Sequence, residues 1–337
     1  MLNIVNKTPF ETTYSVQNNL KGYGVLCVFV SASFLLAKNT WHVAREQLPS
    51  PLQDTYWDKE KPSSIRIPSQ LTHNKPGTDI ILNADAVAPN GKSVTHLQTG
   101  IQVGNLQASV VVFGDRHWDR GQITPPRPFH KMPVIWERAF GGSFQTEDGV
   151  QSYPYNALGA GWSLPGFATD GLSLPNIEWP DQIIRNPTDS PIPAGYGALG
   201  PESPLRSCFA GTYDEIWKKT RCPYVPDDFD PAFFHAAIPA LRSPTFLQGN
   251  EAVRLINLTG ESDVHIHLPG GRPDGVVVLG KQNVQLNFDL ETIVIDTTID
   301  DGSTTATMLE AQMFWRATAL TTRSVADVKD IRVWLAR

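Results

Sequence analysis

His265-Ile266-His267 sets two imidazoles on one face of a strand, about 7 Å apart by the strand rise, a spacing that suits a shared metal ion. The neighbouring sequence proposes no third ligand, so a strand with polar residues outward is the simpler reading. Asp227-Asp228-Phe229-Asp230 has the acid density of a divalent-cation loop but lacks the Gly and closing Glu of an EF-hand. Turn formation and helix capping account for it. Gly114-Asp115-Arg116-His117-Trp118-Asp119 gathers acids, a guanidinium and an imidazole. An enzyme uses such an Asp–His pair for proton transfer. On an extended chain Asp115 and His117 share a face and Arg116 lies opposite, which favours a structural ion pair. Ala86 to Ser93 has the spacing of a phosphate loop, which needs a helix after it. Here Pro89 interrupts, Asn90-Gly91 reads as a hairpin turn, and Val94 onward reads as strand. There is no Gly-x-Ser-x-Gly elbow. Carboxylate pairs for glycoside hydrolysis are assembled by folds rather than by spacing and stay open. Trp136, Trp162 and Trp179 are able to stack sugars, although packing is the commoner use.

Composition bounds what these residues serve. The 337-residue chain has a net charge of −6 and 18% charged residues, which excludes a nucleic-acid binder held by a general basic field. Cys27, Cys208 and Cys222 are far apart and form no disulfide framework or zinc site. The opening MLNIVNKTPF has no signal-peptide pattern. The longest apolar run, Gly22 to Ala37, is short of the roughly 20 residues of a membrane helix and reads as a buried strand. These features point to a cytoplasmic chain without membrane insertion, without cofactors and without metal. The 26 glycines and 27 prolines exceed the roughly 12% of ordinary usage and call for many turns between short strands.

The expected fold is therefore mainly β, with sandwich-like antiparallel sheets, a Pro/Gly-rich irregular middle layer and one or two short helices. Residues 1–124 read as an N-terminal β lobe and 125–250 as the irregular middle. Residues 251–337 read as a C-terminal β lobe packing on the first, the whole being compatible with one continuous domain. Ile80 to Val87, Val94 to Val103 and Ala108 to Phe113 read as a three-stranded meander. Pro49 to Pro68 reads as a loop anchored by Tyr56 and Trp57. A helix is expected over Thr212 to Arg221 with Thr212 as its cap, and a short one after Asp230 with Pro231 at its first position. In the last third, strands are expected over Val253–Leu258, Val264–Leu268, Val276–Leu279, Val284–Phe288 and Thr292–Thr297, then over 326–335.

Taken in order, NKPGTDIILNADAVAPNGK, GDRHW, PRPFHKMPVIWERAFGG, YNALGAGW, LPNIE, PAGYGALGP, AGTYDEIWKKTRCPYVPDDFDPAFFHAA and GNEAVRLINLTGE resemble one bacterial family of effector adaptors. That family was first catalogued as a domain of unknown function and is encoded beside VgrG spike proteins and toxins in type VI secretion clusters. The resemblance covers about residues 20 to 300. Two departures stand out: Gly197-Ala198-Leu199-Gly200-Pro201 runs into Ser203-Pro204-Leu205-Arg206 without the family's Trp, and Thr72 and His73 stand near where an Asp is expected.

The resemblance implies a non-enzymatic adaptor or chaperone. It would hold the N-terminal region of a cognate toxin effector and bring it to the VgrG or PAAR component of the spike, with no nucleic-acid partner. The alternatives are a cell-wall or glycan hydrolase effector and a carbohydrate-binding module. The signature positions are Asp115, Arg116, Trp118, Trp136, Arg138, Gly141, Gly142, Asn156, Gly159, Gly211, Thr212, Tyr213, Asp214 and Trp217. They are expected to be mainly structural, with Trp136 and Trp217 buried, Arg138 and Asp214 hydrogen-bonded, and the glycines in conformations or close approaches that other residues resist. The partner-binding surface is not legible.

Overall fold

The computed structural model describes residues 2–20, 22–72, 75–279, 282–299, 308–320 and 328–336. Three sheets carry the fold. The largest runs Glu11–Asn18, Gly24–Ala37, Met308–Leu320, Asp289–Ile299, Asp79–Asn83, with Thr40–Val43 also on Gly24–Ala37. A five-stranded sheet runs Ile177–Glu178, Leu106–Phe113, His96–Val103, Ala252–Ile256, Asp263–His267, and a four-stranded one runs Asn3–Asn6, Val328–Leu335, Pro273–Leu279, Gln282–Leu286. Each joins strands from distant parts of the chain. One contiguous apolar cluster contains Leu26, Ile80, Ile101, Leu255, Ile293 and Ile331, drawn from all three.

The apolar run after Gly22 is the strand Gly24–Ala37, buried along ten consecutive residues. Leu26, Val28 and Val30 join the main core, while Val25, Cys27 and Phe29 form a second layer on the opposite face. A strand covered on both faces has no polar side to alternate with, which is why the run is continuous. Its long partner Met308–Leu320 was not anticipated, nor were Asn3–Asn6 and Glu11–Asn18.

The expected meander is corrected. Asp79–Asn83 is buried at every residue and runs parallel to Asp289–Ile299, with Ile80 opposite Ile293. The chain then bends, and Asp85–Val87 pairs with Lys131–Pro133. Asn90 adopts φ 57° inside a single 3-10 turn, Pro89–Gly91, rather than a hairpin. The hairpin that does form is His96–Val103 with Leu106–Phe113, turned at Gly104 with φ 55°.

The last-third strands lie within a few residues of expectation, and the final one is Val328–Leu335; residues 326 and 327, like His73, lie outside the described residues. The middle is an irregular layer of two- to four-residue strands around its own core of Trp118, Phe140, Tyr153, Leu174 and Ile184. In the Pro49–Pro68 loop Trp57 packs under Arg66, whose guanidinium is 4.8 Å from the ring. Tyr56 is no anchor; it is 48% exposed. Among the described residues no helix is long and apolar enough to cross a membrane.

Candidate functional site

The signature residues separate into two groups with different physical characters. The first is a buried knot. Trp136 is 8% exposed, and its indole N–H donates to the Ala198 carbonyl at 2.9 Å. The Asn156 amide donates to the carbonyls of Trp136 (2.7 Å) and Phe140 (3.1 Å). Gly141 and Gly142 have φ 148° and 136°, and a Cβ on Gly141 would stand 2.1 Å from the Asn156 carbonyl oxygen. Gly159 is needed for closeness instead, since its Cβ would lie 2.5 Å from the Ala139 carbonyl oxygen. Trp118 belongs to the middle layer's core.

Arg116 is buried and pairs with buried Glu178, its guanidinium 3.8 Å from the Phe113 ring centre. Burial pulls its pKa down to about 10, which leaves it charged at neutral pH. Asp115 and His117 point to solvent, as the alternation required. Arg138 donates to the Asn176 side-chain carbonyl at 2.9 Å, and the Asn176 amide donates to Asp115 at 3.1 Å. Asn176 and Glu178 were not singled out from the sequence, although both stand in the quoted LPNIE motif. These contacts join strand ends and loops.

The second group builds an arm on the surface. The amide of Asp230 donates to the Phe209 carbonyl at 3.0 Å and closes its base. Gly211 turns with φ 76°, and Thr212 donates from its amide (2.9 Å) and hydroxyl (2.8 Å) to Asp228. The helix is Glu215–Thr220. Its cap is Asp214, whose carboxylate accepts from the amides of Ile216 and Trp217 at 2.9 and 2.8 Å. Thr212 is therefore not the cap: Asp228 already holds its hydroxyl. Asp228 and Asp230 do the turn and capping work expected of that acidic stretch, Asp230 accepting from the Ala232 amide at 2.8 Å, and Asp227 pairs with Arg221 at 3.0 Å.

Trp217 corrects a second expectation, being half-buried. Its ring packs edge-on against Tyr213 at 4.7 Å, and its N–H donates to the Tyr224 carbonyl at 2.7 Å. The helix buries no residue. Ile216 is 70% exposed, Tyr213 54% and Tyr224 42%. Tyr224 touches the body of the protein by lying over Gly22, beside exposed Tyr23. The arm is thus folded largely by hydrogen bonds and caps, while Tyr213 and Ile216 face outward.

The other candidates resolve simply. His265 is exposed and lies 3.1 Å from Asp263, which also holds Arg254 at 2.8 and 2.9 Å. Among the described residues no three His, Cys, Asp or Glu side chains gather as a metal site. The 86–93 stretch is followed by strand, so it offers no helix N-terminus to a phosphate. Trp179 is a packing residue that donates to the Pro193 carbonyl at 3.1 Å, and Trp162 packs against the middle layer's core.

Residues 21–305 match the sequence model of a bacterial family described as "Uncharacterized protein conserved in bacteria (DUF2169)". No curated protein and no solved structure matches the chain.

Proposed function

This chain belongs to that bacterial family, and we propose that it serves there as an adaptor that binds another protein and does no chemistry itself. In its specific form, the partner is a toxin effector of a type VI secretion system. The adaptor holds the effector's N-terminal region in the producing cell and helps to load it onto the VgrG/PAAR spike. The ordered series of motifs supports the secretion context. The observation that carries protein binding is the arm: a motif-bearing helix with no buried residue, which with its flanking turns leaves Ile216, Tyr213 and part of Tyr224 exposed. Aromatic and aliphatic anchors of this kind, rimmed here by Lys218 and Lys219, are the usual centre of a specific interface.

The test is co-purification of the chain with a toxin encoded beside it, compared with an Ile216→Glu variant. Retention by the parent and loss in the variant, at unchanged thermal stability, is the expected result. A toxin that fires normally from a strain lacking the gene would overturn the reading.

A further inference from the structure

We propose that the cleft between the Pro49–Pro68 loop and the 200–203 turn binds a basic side chain, arginine or lysine, presented by a partner polypeptide. This rests on the adaptor reading only for the identity of the partner. The cleft has a volume of about 250 Å³. Trp136, Ile65 and Leu199 give it apolar walls, and Tyr56 and Tyr155, 48% and 36% exposed, stand in its lining. Two carboxylates also line it. Asp54 accepts one bond, from the Ser69 amide at 2.7 Å, and exposed Glu202 is turned back over Gly200. The wall also contains Ser64, whose amide and hydroxyl donate to a third carboxylate, Glu137, at 2.7 and 2.8 Å.

Arg206 is a cation set against both Asp54 and Glu202. It is buried, and its guanidinium is committed to the carbonyls of Leu199 (2.7 Å) and Phe233 (3.1 Å).

Ser203 supplies an independent observation. It lines the cleft, is 5% exposed, and among the described residues its hydroxyl has no hydrogen-bond partner. Although Ser203 occupies the cap position of the Pro204–Ser207 turn of helix, its side chain makes no capping bond. A buried hydroxyl left in this state is costly unless a ligand completes it. A long cationic side chain suits the apolar walls and the acids together. Its methylene stem packs on Trp136 and Leu199, its charged head meets Asp54 and Glu202, and the tyrosine rings favour a cation nearby.

The probe is the capped pentapeptide acetyl-Gly-Ala-Arg-Ala-Gly-amide, titrated into the full chain and followed by saturation-transfer NMR. Its citrulline analogue keeps the shape and removes the charge. Citrulline in place of arginine weakens binding by about tenfold or more, the loss of a charge-assisted pair. Asp54→Asn combined with Glu202→Gln does the same, and Ser203→Ala weakens it less. Asp54→Asn keeps the oxygen that receives the Ser69 amide, so the fold is preserved, which an unchanged melting curve verifies. Equal affinity for the two peptides, or no saturable binding, overturns the proposal. So does chitotriose occupying the cleft and displacing the arginine peptide, which would point to a glycan site. If the peptide fails to bind while the neighbouring toxin still co-purifies, the cleft assignment falls and the adaptor stands. If the peptide binds and no toxin co-purifies, the cleft stands and the adaptor reading falls.

Discussion

The Lys75 ammonium sits 2.8 Å from the Asp79 carboxylate, and both side chains are sealed from solvent at 1% and 0% exposure. Lys75 also donates to the Thr292 hydroxyl at 2.7 Å, while Asp79 holds the His235 ring (2.6 Å) and the Ala236 amide (2.8 Å). The KPGTD motif thus pins the Asp79–Asn83 strand to Asp289–Ile299 and to the 235–242 segment. Removing one partner of such a pair strands the other charge, at a cost of about 3–5 kcal/mol. Lys75→Met should lose that much in urea unfolding, and a loss under about 1 kcal/mol would mean the pair is dispensable.

Acid should undo the same cluster. Burial alone would raise the Asp79 carboxyl, but the Lys75 ammonium and the His235 ring override it and hold it well below the usual range. A folded-state pKa below the unfolded one, about 3.9, adds stability above that pH and loses it as pH falls. Exposed Asp263, held down to about 2 by Arg254, acts in the same direction, while Asp289, Glu310 and Glu291 (the last beside Lys75), all raised by burial, act in the opposite one. The urea midpoint should fall below about pH 4, and more shallowly in Asp79→Asn than in the parent. Parallel curves would remove Asp79 from the account.

The two signature tryptophans should behave differently. Trp136 is packed beneath Gly195 and Gly197, where added Cβ atoms would stand 3.2 and 3.3 Å from its ring. Trp136→Ala should cost about 3–5 kcal/mol, and Trp136→Phe about 1 kcal/mol or more for the lost bond to Ala198. Trp217→Ala should leave the global melting transition nearly in place, because its partners, Tyr213 and the Tyr224 carbonyl, belong to the same arm. Equal losses in the two variants would contradict this difference in burial.

What the sequence made legible follows from how local each signal is. The β class, the buried 24–37 strand and the cap-and-Pro start of Pro231–Phe234 depend on neighbouring residues, and they are where expected. Asp79–Asn83 was placed in the wrong sheet because its partner lies some two hundred residues away, and a buried parallel strand has no alternation to reveal its register. The cap was assigned to Thr212 because Glu215 follows at capping-box spacing. Asp214 took the position because Asp228, reached only through the fold, already holds Thr212. Trp217 was expected inside as a signature residue of structural role. The cleft was invisible for the same reason: Asp54, Trp136 and Glu202 converge from three distant segments.

The arm should loosen without the body of the protein. Asp214 satisfies two orphan amides at the start of a six-residue helix that has no core beneath it. A helix that short is marginal without its cap or tertiary packing. Asp214→Ala removes about 0.5–2 kcal/mol from it. Because the arm's bonds are largely its own, that loss should appear as local opening rather than as a lower global midpoint. Amide hydrogen exchange is the measurement. Protection at residues 217–222 should fall several-fold, while the Gly24–Ala37 and Met308–Leu320 strands exchange as in the parent. If the adaptor reading holds, the same variant should retain less toxin than the parent, and Asp214→Asn, which keeps a capping oxygen, should recover most of it. An arm that stays protected in Asp214→Ala would show that tertiary packing, not the cap, holds Tyr213 and Ile216 on display.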